Sequence, residues 1–154
     1  MDPPATEARG RPADLLLIED NHGDVVLTRE ALRSAGIANW LTVARDGEEA
    51  LEMLRRRPPG AGHARPGLIL LDLHLPCMDG RQVLRALRAD PALRPIPVIV
   101  LAGSNAELDG LRRRGPPADG YLVKPLDPDR LVAALARLPA ILVQQGAGAG
   151  QADA

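Results

Sequence analysis

Apolar residues are distributed along this chain in two alternating patterns. Leu15–Ile18, residues 68–71 and residues 98–101 are short runs in which every position is hydrophobic, which predicts strands covered on both faces. Between the runs, apolar residues recur at helical spacing: Val26, Leu27, Ala31 and Leu32, then Ala50, Leu51, Met53 and Leu54 within residues 47–57. Residues 40–43 and 121–123 read as two further strands, and helices are predicted near residues 80–89, 105–114 and 128–138. Asn21 and Asp24 are cap candidates for the first helix, Gly36 closes it, and Gly115-Pro116-Pro117 ends the fourth. Five strands alternating with five helices predict a parallel sheet with helices on both faces.

Composition narrows the class of protein. Residues 1–12, rich in Pro and Ala, read as a disordered leader, and residues 146–154 as a flexible tail. One folded domain over residues 13–145 is expected between them, with a Pro- and Gly-rich loop at residues 58–67. Nineteen Lys and Arg against 20 Asp and Glu leave no broad positive field for a nucleic-acid backbone or an anionic membrane. With no Phe, one Trp and one Tyr, the core is expected to be aliphatic, and no platform exists for stacking bases. A lone Cys77, a start without the pattern of a signal peptide, and no apolar run near ~20 residues predict a cytoplasmic protein outside the membrane.

In an open parallel sheet, ligands gather at the carboxyl ends of the strands. Glu19 and Asp20 follow the first strand, Asp72 the third, Ala102-Gly103-Ser104 the fourth, and Lys124-Pro125 the fifth. Three carboxylates on one rim would repel one another and raise their own pKa values unless a positive charge held them. A hard dication such as Mg2+ answers that need, with Asp20 and Asp72 as ligands and Glu19 acting through water. Asp72 is then placed to attack a phosphorus atom and carry an acyl phosphate, with Lys124 pairing a phosphoryl oxygen. His22, His63 and His74 fit no metal-ligand spacing and Cys77 has no paired base, so their side chains are given loop or surface roles. Arg55, Arg56 and Arg57, like Arg112, Arg113 and Arg114, read as solvated helix ends.

Four segments in order, LLLIEDN from Leu15, LILLDLHLPCMDG from Leu68, PVIVLAGS from Pro97 and YLVKP from Tyr121, resemble a response-regulator receiver domain over residues 13–138. The pattern DNHGDVVLTREAL, the long loop before strand three and the lack of an output domain are similar to regulators paired with bacterial phytochromes. The resemblance implies a doubly wound, flavodoxin-like (CheY-like) sheet of order 2-1-3-4-5. It implies a single-domain regulator whose Asp72 takes a phosphoryl group from a sensor histidine kinase in a Mg2+-dependent reaction, a signalling role rather than enzymatic turnover. It also implies the backbone carbonyl of His74 as the third protein ligand of the metal, Lys124 as the phosphate-sensing lysine, and a cis bond between Lys124 and Pro125.

One position departs from that family. Strand four there normally ends in Thr or Ser, whose hydroxyl binds the phosphoryl group and works with the residue at Tyr121; here Ala102 stands instead. Ser104, two residues on, substitutes only if its loop rearranges. A second reading follows, a degenerate receiver acting as a phosphorylation-independent dimerisation or docking module. The fourth helix, fifth strand and fifth helix are the expected output surface and one candidate homodimer face. The apolar stretch at residues 138–143 is the other; it packs on the core, extends the last helix or reaches into a partner.

Overall fold

Every predicted strand pairs in parallel with its neighbours in a computed structural model that describes residues 14–56 and 66–138. The strands are β1 (Leu15–Ile18), β2 (Leu41–Ala44), β3 (Leu68–Asp72), β4 (Val98–Ala102) and β5 (Gly120–Val123), in the sheet order β2-β1-β3-β4-β5. The helices are α1 (His22–Ser34), α2 (Gly47–Arg55), α3 (Gly80–Ala89), α4 (Asn105–Arg114) and α5 (Pro128–Ala136). The order matches the expected one. The predicted leader, the tail, His63, most of the loop before β3 and the apolar stretch beyond Leu138 lie outside the described residues.

Period-two alternation divides the sheet between two aliphatic cores. Leu16, Ile18, Ile69, Leu71, Val98 and Val100 face one cluster with Leu51 and Leu54 of α2, Val83, Leu84 and Leu87 of α3, and Leu108 and Leu111 of α4. Leu15, Leu17, Leu68, Leu70, Ile99 and Leu101 face the other, with Val25, Ala31 and Leu32 of α1 and Leu131 and Leu135 of α5. All five residues of β3 and of β4 are buried, which is why those segments lack polar alternation. Leu138 belongs to the second core, so the apolar run after α5 begins on the domain rather than away from it.

Side chains and close backbone contacts fix the helix ends. Asn21 caps α1 by accepting from the Asp24 N–H at 2.9 Å, and Asp79 forms a reciprocal capping box with Gln82 at the start of α3. Gly36, at φ 80°, turns the chain out of α1 in a conformation that favours glycine. At the rim away from the acidic residues, Arg88 donates to the carbonyls of Pro117, Arg94 and Ile96 and to Asp119, which also accepts from the Val98 N–H. This network ties the end of α3 to the start of β4 and the turn before β5.

Leu70→Ala removes a fully buried side chain from the central strand. Urea denaturation is expected to show a loss of about 2–5 kcal/mol, because the surrounding sheet relaxes only partly around the cavity.

Candidate functional site

The sheet ladder continues one residue past three strands and so fixes the site backbone. Glu19 N–H donates to Ala44 O at 2.9 Å, Leu73 N–H to Leu101 O at 2.9 Å, and Lys124 N–H to Ala102 O at 2.7 Å. Asp72 is itself the last residue of β3, paired with Leu101, and Ala102 the last of β4, paired with Val123. Gly80, the first residue of α3, packs on this segment so closely that an added Cβ would lie 2.6 Å from both the Asp72 carbonyl oxygen and the Leu73 Cα. Helix α3 therefore approaches the backbone of Asp72 at a position only glycine fits.

Around this frame the carboxylates converge. Oxygens of Glu19, Asp20 and Asp72 lie within 4.8 Å of one another; Glu19 and Asp72 are 1% exposed, whereas Asp20 faces solvent. Lys124 reaches across from β5, with Nζ 2.7 Å from Asp24 Oδ2, 3.2 Å from Glu19 Oε1 and 3.4 Å from Asp72 Oδ2. The Lys124–Pro125 peptide is cis. The His74 N–H donates to Asp72 Oδ1 at 3.1 Å, and the Asn21 N–H to Glu19 Oε2 at 3.3 Å.

The electrostatics follow from this crowding. Burial, reinforced by the neighbouring Asp72 carboxylate, pushes Glu19 from 4.5 up to about 7 despite the opposing pull of Lys124. Burial also acts to lower the pKa of Lys124, but its hydrogen bond to Asp24 and the charges of Asp72 and Glu19 outweigh that and raise it. The ammonium stays charged throughout the neutral range. One lysine thus pairs with three of the four acidic groups at this rim, and the arrangement carries excess negative charge on oxygen donors only. Such a donor set fits a hard divalent cation that keeps waters, with an exposed Asp20 oxygen at the entrance.

Several side chains fall elsewhere. Asp24 does not cap α1 through its carboxylate but binds Lys124; Asn21 alone supplies the cap. Its position one turn after Asp20 was the available signal, because it places a further carboxylate on the same rim. Ala102 is fully buried and offers no polar side-chain atom. The Ser104 hydroxyl accepts from the Glu107 N–H at 3.2 Å as the N-cap of α4. The Tyr121 hydroxyl accepts from the Ala118 N–H at 3.2 Å, and Arg112 stacks 4.7 Å from the ring centroid. The His74 ring, given no role from sequence, pairs with Glu107 at 2.5 Å. His22 and Cys77 are exposed and outside the cluster.

Comparison with known proteins supplies the context for this geometry. The family model described as "Response regulator receiver domain" matches residues 15–136. Response regulator Rcp1 of Synechocystis sp. is 39% identical over 113 residues, covering 73% of this chain and 77% of Rcp1. The bacteriophytochrome response regulator AtBRR superposes with a TM-score of 0.78 at 35% identity, covering 86% of this chain and 96% of AtBRR. The Mn2+-bound form of Rcp1 superposes at 0.63 and 33% identity, covering 86% and 99%. No helix among the described residues is long and apolar enough to cross a membrane.

The raised pKa of Glu19 carries a sign. Between 4.5 and about 7 the folded chain binds more protons at Glu19 than the unfolded chain, so this group's contribution to stability falls as pH rises through that window. Denaturation in EDTA is expected to show wild type losing stability relative to Glu19→Gln over that range. Parallel pH profiles for the two proteins would remove the account of Glu19 as a buried carboxylate beside Asp72.

Proposed function

The chain belongs to the response regulator receiver domain family, and we propose that it accepts a phosphoryl group from a sensor histidine kinase on Asp72 in a Mg2+-dependent reaction. The observation that carries this reading is the position of Asp72: buried at the end of the central strand, within 4.8 Å of the Glu19 and Asp20 oxygens and 3.4 Å from the Lys124 ammonium. Asp20, Asp72 and the His74 backbone carbonyl would hold Mg2+, with Glu19 reached through water. The ion, when bound, neutralises the carboxylates and draws phosphoryl oxygens toward them.

The chain's own residues perform the rest. A carboxylate oxygen of Asp72 forms the new O–P bond as the P–N bond of the donor phosphohistidine breaks; the electron pair stays on the imidazole nitrogen, which then takes a proton. Backbone bonds from β3 to β4 and the contact of Gly80 hold Asp72 in one position for that displacement. Lys124, already within reach of Asp72, pairs with a phosphoryl oxygen and offsets the charge that arrives. Burial on the β3 side limits access by water, whereas exposed Asp20 marks the open side from which the donor enters.

The resulting role is signalling, with one phosphoryl group carried per chain. Likeness to bacteriophytochrome response regulators supports a photoreceptor-linked histidine kinase as the donor. Ala102 favours a second reading, in which the domain docks or dimerises independently of phosphate. The Ser104 oxygen is held as a helix cap by the Glu107 N–H and the Tyr121 oxygen by the Ala118 N–H, so each hydroxyl is oriented by its own loop rather than supplied from position 102.

Incubation with acetyl phosphate and Mg2+ separates the two readings by intact mass. Wild type is expected to gain the mass of one phosphoryl group, Asp72→Asn none, and Asp20→Asn to be labelled roughly tenfold more slowly or worse. EDTA is expected to prevent labelling. An unlabelled wild type would leave the phosphate-independent module as the better account.

A further inference from the structure

The loop after Asp72 and the start of α4 are joined by a chain of hydrogen bonds that neither the acid cluster nor Lys124 requires. The His74 N–H donates to Asp72 Oδ1 at 3.1 Å, and the His74 Nε2 lies 2.5 Å from Glu107 Oε2. The other oxygen of the same carboxylate, Oε1, accepts from the Gly103 N–H at 2.9 Å. Glu107 sits in the first turn of α4, directly after the Ser104 cap. One side chain therefore spans two loops that emerge from neighbouring strands, β3 and β4. Buried Ala102, at the end of β4, contributes no polar side-chain atom to that junction.

The helix on the far side of this bridge is weakly seated. Only Leu108 and Leu111 of α4 are buried, and its last turn is Arg112, Arg113 and Arg114. A helix anchored by two apolar side chains can shift or tilt on the sheet at small cost, so a bond at its first turn has leverage over its position. The His74 side chain is 65% exposed and that of Glu107 30% exposed. A pair so open to solvent contributes little to global stability. Its geometry, by contrast, ties the helix start to the acceptor.

The geometry points to Glu107 as a positioning residue that transmits the chemical state of Asp72, through His74, to the β4–α4 loop and the start of α4. The inference rests on the phosphoacceptor reading of Asp72. When Asp72 becomes an acyl phosphate, the oxygen facing the His74 N–H changes from a carboxylate oxygen to a carbonyl or ester oxygen. Either is a weaker acceptor than the anion. The His74 segment is released from its bond to Asp72, and the ring carries that change to Glu107, which holds the Gly103 N–H with its other oxygen. The signal thus travels as a rearrangement of hydrogen bonds at one end of α4.

Amide NMR spectra recorded before and after acetyl phosphate and Mg2+, with labelling measured by intact mass, test the bridge. In wild type, phosphorylation is expected to shift the amides of residues 103–111. In Glu107→Ala those shifts shrink by about twofold or more at equal labelling, with little change in the urea midpoint. Glu107→Gln keeps an oxygen for Gly103 and an amide for the imidazole, and retains the response. Glu107→Asp keeps the charge but is one methylene too short to span both partners; it loses the response and serves in place of Glu107→Ala should that variant fail to fold. Wild-type shifts in the labelled Ala or Asp variant, or a lost response in the Gln variant, would overturn the bridge while leaving Asp72 as acceptor. A wild type that takes no label overturns both.

Discussion

An ammonium held among carboxylates is the constraint on which this structure turns. Lys124 Nζ lies within 3.4 Å of Asp24, Glu19 and Asp72, two of which are almost wholly buried. Charges in such a place are costly unless paired. The lysine comes from the end of β5 and its partners from the ends of β1 and β3 and the first turn of α1, so the pairing is possible only when the sheet order is complete. One cation against four acidic groups still leaves the cluster short of positive charge, and Glu19, pushed up first by its burial and then by the neighbouring Asp72 carboxylate, lies in that excess. That shortfall makes the rim receptive to a divalent cation, and it ties the stability of the fold to the chemistry of the site.

The rest of the fold holds this cluster in place. The buried strands supply a frame with little side-chain freedom, and the backbone bonds of Glu19, Leu73 and Lys124 extend that frame into the loops. Helix α3 adds a second constraint through Gly80, whose close approach braces the backbone of Asp72 and Leu73. At the far rim, Arg88 gathers three carbonyls and Asp119, so that the entries to β4 and β5 are fixed where no apolar side chain could do so. The acidic rim, by contrast, keeps polar groups that new bonds can rearrange. Burial is complete in β3 and β4, and α4, which buries only Leu108 and Leu111, adjoins the site through His74 and Glu107.

Much of the site was legible from order along the chain, because a parallel sheet sends the residue after every strand to one rim. Glu19, Asp20, Asp72 and Lys124 could be assembled that way without coordinates. Asn21 and Asp24 are both cap candidates by sequence, because both lie at a helix start and both residue types suit that position. Which of the two caps and which turns inward depends on where Lys124 lies, a contact across 100 residues. The His74 side chain shows no role in the sequence for a similar reason. Its partner is 33 residues away on α4, and no spacing rule links the two.

The sequence by itself determined the alternation of elements, the two-sided burial of β3 and β4, and the set of acidic and basic residues at the strand ends. These follow from local periodicity and from the regular direction of parallel strands. The tertiary structure decided how those charges divide among partners: Lys124 with three carboxylates, Ser104 with its own helix, Tyr121 with Ala118, and Glu107 with both His74 and Gly103. Hydrogen bonds and ion pairs act over about 3 Å, and only the packing of β3, β4, β5 and α4 sets distances that fine between residues far apart in the chain.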